Sequence, residues 1–223
     1  MHPVLRRVVD HRSETSLATQ FRRKRFEFFM DQISILSLPV KILDVGGEQV
    51  FWERMGLAGL VDHQITILNI ISPAITFPNF HGAVGDATNL AGFSDQEFDL
   101  VFSNSVIEHL GTFQSQQRMA GEVLRVGRCY FVQTPNRFFP LEPHFLVPFF
   151  QFFPKGLRIA MIRRFDLGWY QRTPDLQQAR QLICTHRLLS ESELRRLFPN
   201  GELYKEKIFG LTKSFSIYRI MAG

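Results

Sequence analysis

The sequence predicts an α/β fold: a doubly wound, mostly parallel seven-stranded sheet with a terminal antiparallel hairpin and an aromatic-rich lid insertion. Three observations carry this. Short apolar, β-rich runs alternate with helical stretches through residues 40–135. The last two runs instead follow one another around a glycine-containing turn, the pattern of a hairpin. Between residues 137 and 180 the alternation gives way to a proline-punctuated segment rich in phenylalanine.

Residues 14–35 place Leu17, Phe21, Phe28 and Ile33 near helical spacing, with Ser13 as N-cap. Pro39 then favours an extended chain before it, and VKILDV (40–45) reads as a buried strand. Gly46 and Gly47 make the turn into a helix over Glu48 to Gly56. ITILNI (65–70) is a second strand, the brief HGAV before Gly85 a third, and EFDLVFSN (97–104) a fourth. Ser115 to Val126 has helical spacing through Met119, Val123 and Leu124. CYFVQT (129–134) is a fifth strand, ended by Pro135–Asn136. Ser190 and Glu193 form a capping box that opens a short helix to Phe198. ELYKEKIF (202–209) and SFSIYRIM (214–221) complete the hairpin.

With 223 residues, 45% apolar and 21% charged, the chain suits one globular domain spanning 1–223. Cys129 and Cys184 are too few for a disulfide framework and read as reduced residues of a cytoplasmic protein. No apolar leader opens the chain, and no run reaches the roughly 18–20 residues of a membrane span. The formal charge of +5 owes much to Arg22, Arg23, Lys24 and Arg25. Their expected role is the solvated face of a helix, with peripheral contact to an anionic membrane as the alternative. There is no zinc spacing, RNP-type sequence or extended basic stripe, so nucleic acid is excluded as a partner. The 23 Phe are expected to owe their excess to residues 138–165.

In open parallel sheets, ligands bind outside the carboxyl ends of the strands, at the point where strand order reverses. The residues at those ends are Asp44-Val45-Gly46-Gly47, Asn69, Gly85-Asp86-Ala87, and Ser103-Asn104 followed by Ser105-Val106-Ile107-Glu108-His109-Leu110. A dinucleotide dehydrogenase would carry G-x-G-x-x-G after the first strand and a carboxylate after the second. This chain has neither. Over roughly residues 40–135 these motifs resemble, in order and spacing, the class I methyltransferases that use S-adenosylmethionine (SAM), in particular the type 11 group. The resemblance implies a Rossmann-like fold and SAM as cofactor. It implies that Gly46 and Gly47 lie against the methionine end, with Asp44 ordering the turn. It also implies that Asp86, in Gly85-Asp86-Ala87, accepts from the adenine amino group, and that Asn104 closes the fourth-strand motif. Two departures stand out: a third glycine is missing from DVGGEQVFW, and Asn69 replaces the usual ribose-binding carboxylate.

For chemistry the chain offers His109, just past the fourth strand, and His144, after the fifth. Three prolines within nine residues (Pro135, Pro140 and Pro143) stiffen the approach to His144, and Glu142 is placed to orient its ring. His144 is the preferred general base, while His109 reads first as a packing residue. No His, Cys or Asp cluster has ligand spacing, so no metal is expected. The aromatic segment is expected to close as a lid over an apolar acceptor pocket, extended by Trp169 and Tyr170, with a dimer surface or a lipid-touching patch as the alternatives. The functional expectation is O-methylation of a small-molecule, glycan or lipid-linked acceptor. The alternative is a catalytically silent scaffold, supported by Asn69 and the reduced glycine turn.

Overall fold

The computed structural model describes residues 17–221, which leaves Ser13 outside the described residues. Seven strands form one sheet in the order β3-β2-β1-β4-β5-β7-β6. They are β1 (Val40–Val45), β2 (His63–Asn69), β3 (Phe80–Val84), β4 (Phe98–Asn104), β5 (Gly127–Pro135), β6 (Glu202–Ile208) and β7 (Leu211–Arg219). Strands β1 to β5 pair in parallel, whereas β7 runs antiparallel to both β5 and β6. The expected α/β class, sheet and terminal hairpin are therefore present.

The strands read as apolar runs because both sheet faces are covered. Their period of two divides side chains between two cores. In β1, Ile42 joins one core, with Trp52, Ile67, Leu100 and Phe131, while Leu43 and Val45 join the other, with Val101, Met119, Val123 and Ile217. Helices α1 (Leu17–Ile33) and α2 (Gln49–Arg54) cover the first face, and α3 (Phe113–Val126) covers the second. Thr112 caps α3 by accepting from Ser115 N–H.

Two expectations about composition are corrected here. The phenylalanine excess is not confined to residues 138–165. Phe26, Phe28 and Phe29 on α1 enter a network with Phe51, Trp52, Phe102 and Phe131 that fastens the helix to the sheet. The basic run is not wholly a solvated face either. Arg25 turns inward to an ion pair with the buried Glu206 of β6, at 3.6 Å, which Lys213 also approaches at 3.4 Å. Arg23 and Lys24 do remain exposed.

The segment between β5 and the last helix, expected to be irregular, contains a 3-10 turn (Phe150–Phe152), α4 (Lys155–Arg164) and α5 (Leu176–Thr185). It builds a small core of its own from Phe145, Phe150, Ile159, Ile162, Ala179 and Ile183. Helix α6 (Glu191–Leu197) follows, with both capping-box bonds between Ser190 and Glu193 formed.

Candidate functional site

Strand order reverses between β1 and β4, the place at which open parallel sheets form a ligand crevice outside the carboxyl ends of their strands. Gly46 turns there with φ +78°, and a Cβ on it would lie 2.6 Å from a Val106 methyl. A Cβ on Gly47 would fall 1.6 Å from Asp44 Oδ2. Neither position has room for a side chain, so the two glycines are required by the turn itself.

Asp44 faces the Trp52 side of the sheet, 1% exposed, and accepts the indole N–H of Trp52 on Oδ2 at 2.7 Å. Burial pushes its carboxyl up to about 7 and outweighs that hydrogen bond, which favours the charged form. Asn69 donates to the Gly47 carbonyl at 3.1 Å and accepts from Ile70 N–H at 2.8 Å. It braces the glycine turn from the neighbouring strand. Asp86 is exposed and takes Thr88 N–H at 2.7 Å, while Ala87 packs against the core. Asn104 pairs in register with Gln133 at the end of β4. The parallel register thus brings all seven residues expected around the cofactor to one edge of the sheet.

The histidines gather beside this crevice. Val106 contacts Gly46 and opens the 3-10 turn Ile107–Leu110, whose His109 N–H bonds back to the Val106 carbonyl. His109 meets His144 and also His186, which follows α5 and was not singled out from the sequence. The three ring centroids are 4.7–4.8 Å apart, so side chains of metal-ligating type that no sequence spacing announced stand together in space.

Three arrangements hold this cluster. Arg187 N–H donates to the Glu108 carbonyl at 2.7 Å, and Gln116 donates to the carbonyls of Ile107 and Arg187, joining the turn after β4 to the exit of α5. At Gly111 (φ +68°) a Cβ would be 2.5 Å from the Cys184 carbonyl, so only glycine lets the two segments approach. Buried Glu142 accepts from the N–H groups of His144 and Phe145 and holds His144 Nδ1 at 2.8 Å.

Electrostatics separate the rings. Desolvation within the cluster, then the neighbouring His144 and His186, push His109 down to about 3 although its outer side is open. Burial also opposes charge on His144, but the hydrogen bond and charge of Glu142, with Glu108, outweigh it and hold its pKa above the usual value. His186 is lowered, chiefly by burial. Its Nδ1 faces the Leu182 carbonyl at 2.8 Å and its Nε2 faces the Tyr170 hydroxyl at 2.7 Å. Glu108 is fully buried, with Oε2 bonded to Thr134 and Oε1 without a partner.

Beyond the histidines lies a cavity of about 440 Å³ between residues 137–158 and the segment after α5. His186 and Glu142 line it, together with Arg137, Lys155, Arg158 and Arg187. Arg187 is tied to Gln116 and Glu193, while Arg158 Nε is buried without a partner. Four basic side chains thus share this cavity with the apolar Phe145, Phe150, Ile183 and Leu188. Of the phenylalanines in that segment, Phe145, Phe150 and Phe153 turn into its own core, with Phe145 and Phe150 also reaching the cavity wall, while Phe138, Phe149, Phe152 and Phe165 are exposed.

A family profile described as a methyltransferase domain matches residues 52–129. Two uncharacterized proteins of Mycobacterium tuberculosis, from strains CDC 1551 and H37Rv, are each 40% identical over 70 residues, 31% of this chain. The matched stretch spans 23% of the length of those relatives. Among solved structures, a SAM-dependent methyltransferase from Aquifex aeolicus aligns with TM-score 0.52 and 10% identity, covering 88% of this chain and 95% of its own. A proposed O-methyltransferase from Nostoc punctiforme aligns with TM-score 0.51 and 10% identity, covering 91% of this chain and 58% of its own. At these identities the likeness is one of fold.

Proposed function

We propose that this chain, which has the fold of the class I SAM-dependent methyltransferases, transfers a methyl group from SAM to an oxygen of a small, negatively charged acceptor. The observation that carries the reading is a succession: the glycine-lined crevice at the strand-order reversal, then the histidine cluster, then the basic cavity.

The crevice suits the cofactor. The side-chain-free turn at Gly46 and Gly47 leaves backbone for the methionine end to approach. Ile70 and Ile71, 76% and 75% exposed, follow Asn69 and offer an apolar wall to a purine near Asp86 and Ala87. Asn104 borders the crevice from β4. Asp44 keeps the turn in shape from beneath, through Trp52.

Bound SAM supplies a methyl group already activated on a sulfonium, so alignment and a route for one proton remain for the protein. Arg137, Lys155 and Arg158 attract the acceptor's carboxylate or phosphate and fix which end points to the crevice. The histidine cluster then stands beside the reacting hydroxyl. His144, steered by Glu142, is the group assigned to the proton, with His109 as its neighbour on the crevice side. Residues 137–180 act as the lid that excludes water.

A second reading has one observation behind it. Asn69 spends its amide on Gly47 and Ile70, where a ribose would need it, as in a silent scaffold. Calorimetric titration with SAM and S-adenosylhomocysteine, beside Asp86→Ala, decides between them. Binding that Asp86→Ala weakens supports the enzyme. No binding by folded protein leaves the scaffold.

A further inference from the structure

We propose that His109, His144 and His186 form a binding site for one divalent transition metal ion of the zinc class. One ligand-capable nitrogen from each ring falls within a group whose members all lie within 4.8 Å of one another. Bonds of about 2.0–2.1 Å to a tetrahedral ion place ligand nitrogens about 3.3 Å apart. The rings already meet edge to face, with centroids 4.7–4.8 Å apart.

The surroundings are those of a metal centre rather than of three stray imidazoles. Metal-binding histidines hold their second nitrogen against a carboxylate or a backbone carbonyl, which fixes the ring and raises its donor strength. His144 has its Nδ1 on Glu142, and His186 has its Nδ1 on the Leu182 carbonyl, leaving Nε2 of each for the ion. The Tyr170 hydroxyl now facing His186 Nε2 would turn to a water or substrate oxygen on the metal. Two buried carboxylates, Glu108 and Glu142, stand behind the rings, and Glu108 keeps one oxygen without a partner.

Three imidazoles and an open fourth position suit zinc, cobalt(II) or a similar ion, and disfavour magnesium and calcium, which prefer oxygen ligands. Ion binding stands independently of the methyltransferase reading. Its use in the reaction rests on that reading. With an ion bound, His144 would serve as a ligand in place of the proton-accepting role given to it above, and the acceptor hydroxyl, made more acidic by the ion, would lose its proton to bulk water. Its oxygen forms the O–CH3 bond as the S–CH3 bond of SAM breaks.

Untagged full-length protein, stripped with chelator and dialysed, is titrated with Co2+ and then Zn2+, followed by calorimetry and visible absorption. The expected result is about one equivalent of Co2+ with tetrahedral absorption bands, displaced by Zn2+. His109→Ala and His186→Gln each weaken binding by more than the about 10–100-fold expected for Glu142→Gln. His109 is open to solvent, so its truncation leaves the fold intact, as circular dichroism checks. Folded wild type that takes up no Co2+, or Co2+ binding indifferent to both histidine variants, overturns the site. SAM calorimetry on the same preparation keeps the two ideas apart. Metal uptake without SAM binding sinks only the methyltransferase reading, and SAM binding without metal uptake sinks only the metal site.

Discussion

Trp52 donates its indole N–H to Asp44 Oδ2 across 2.7 Å, and both side chains are closed to solvent beneath the glycine turn. Burial dominates this pair, because the carboxyl is pushed from 3.8 up to about 7. An acid raised in the folded state contributes most stability below its unfolded pKa. That contribution is lost as pH climbs from about 4 through about 7.

Asp44→Asn keeps an acceptor for Trp52 and removes the titration. Urea unfolding of both proteins from pH 4 to pH 8 should show the wild type losing ground to the variant up to about pH 7, then a constant gap. The ceiling on that relative loss is on the order of 4 kcal/mol. Parallel curves would show that Asp44 titrates normally.

Gly47 and Asp44 should be strongly coupled. A methyl group at position 47 lands on the carboxylate, so Gly47→Ala should cost upwards of about 2 kcal/mol, in the range of overpacked sites. In an Asp44→Ala background most of that cost should vanish. A double-mutant cycle by chemical denaturation measures it, and additive effects would place the strain elsewhere.

The basic cavity predicts anion binding separate from cofactor binding. Inorganic phosphate should raise the melting temperature of the wild type, and less so that of Arg158→Ala or Lys155→Ala. SAM affinity should be the same in all three. Equal phosphate stabilisation in all three would assign the effect to general screening.

Ser190 caps a helix of only seven residues through a complete capping box. Ser190→Ala should cost about 1 kcal/mol. Glu193→Gln should do more than lose its cap, because Glu193 also pairs with Arg187 on the cavity wall. Phosphate stabilisation should therefore change in Glu193→Gln and not in Ser190→Ala.

Strands β1, β2, β4 and β5 were legible because, buried on both faces, they need continuous apolar runs, and Leu43 beside Ile42 is one such step. Ser190–Glu193 was legible because capping is local chemistry. Helices α4 and α5 were hidden: the prolines and phenylalanines around them read as irregular chain, whereas Ile159, Ile162, Ala179 and Ile183 find each other only in three dimensions. His186 had no signal at all, since its partners lie 77 and 42 residues back along the chain. Arg25 looked solvated because its carboxylate is on the far hairpin.

The segment between β5 and α6 carries its own core, and two of the three histidines travel with it while His109 stays on the sheet. The imidazole trio therefore joins that segment to the turn after β4. Swinging that segment outward as one body separates two rings from the third. An ion bridging all three would act as a latch between that segment and the turn after β4, so metal content would set how firmly the two parts are held together.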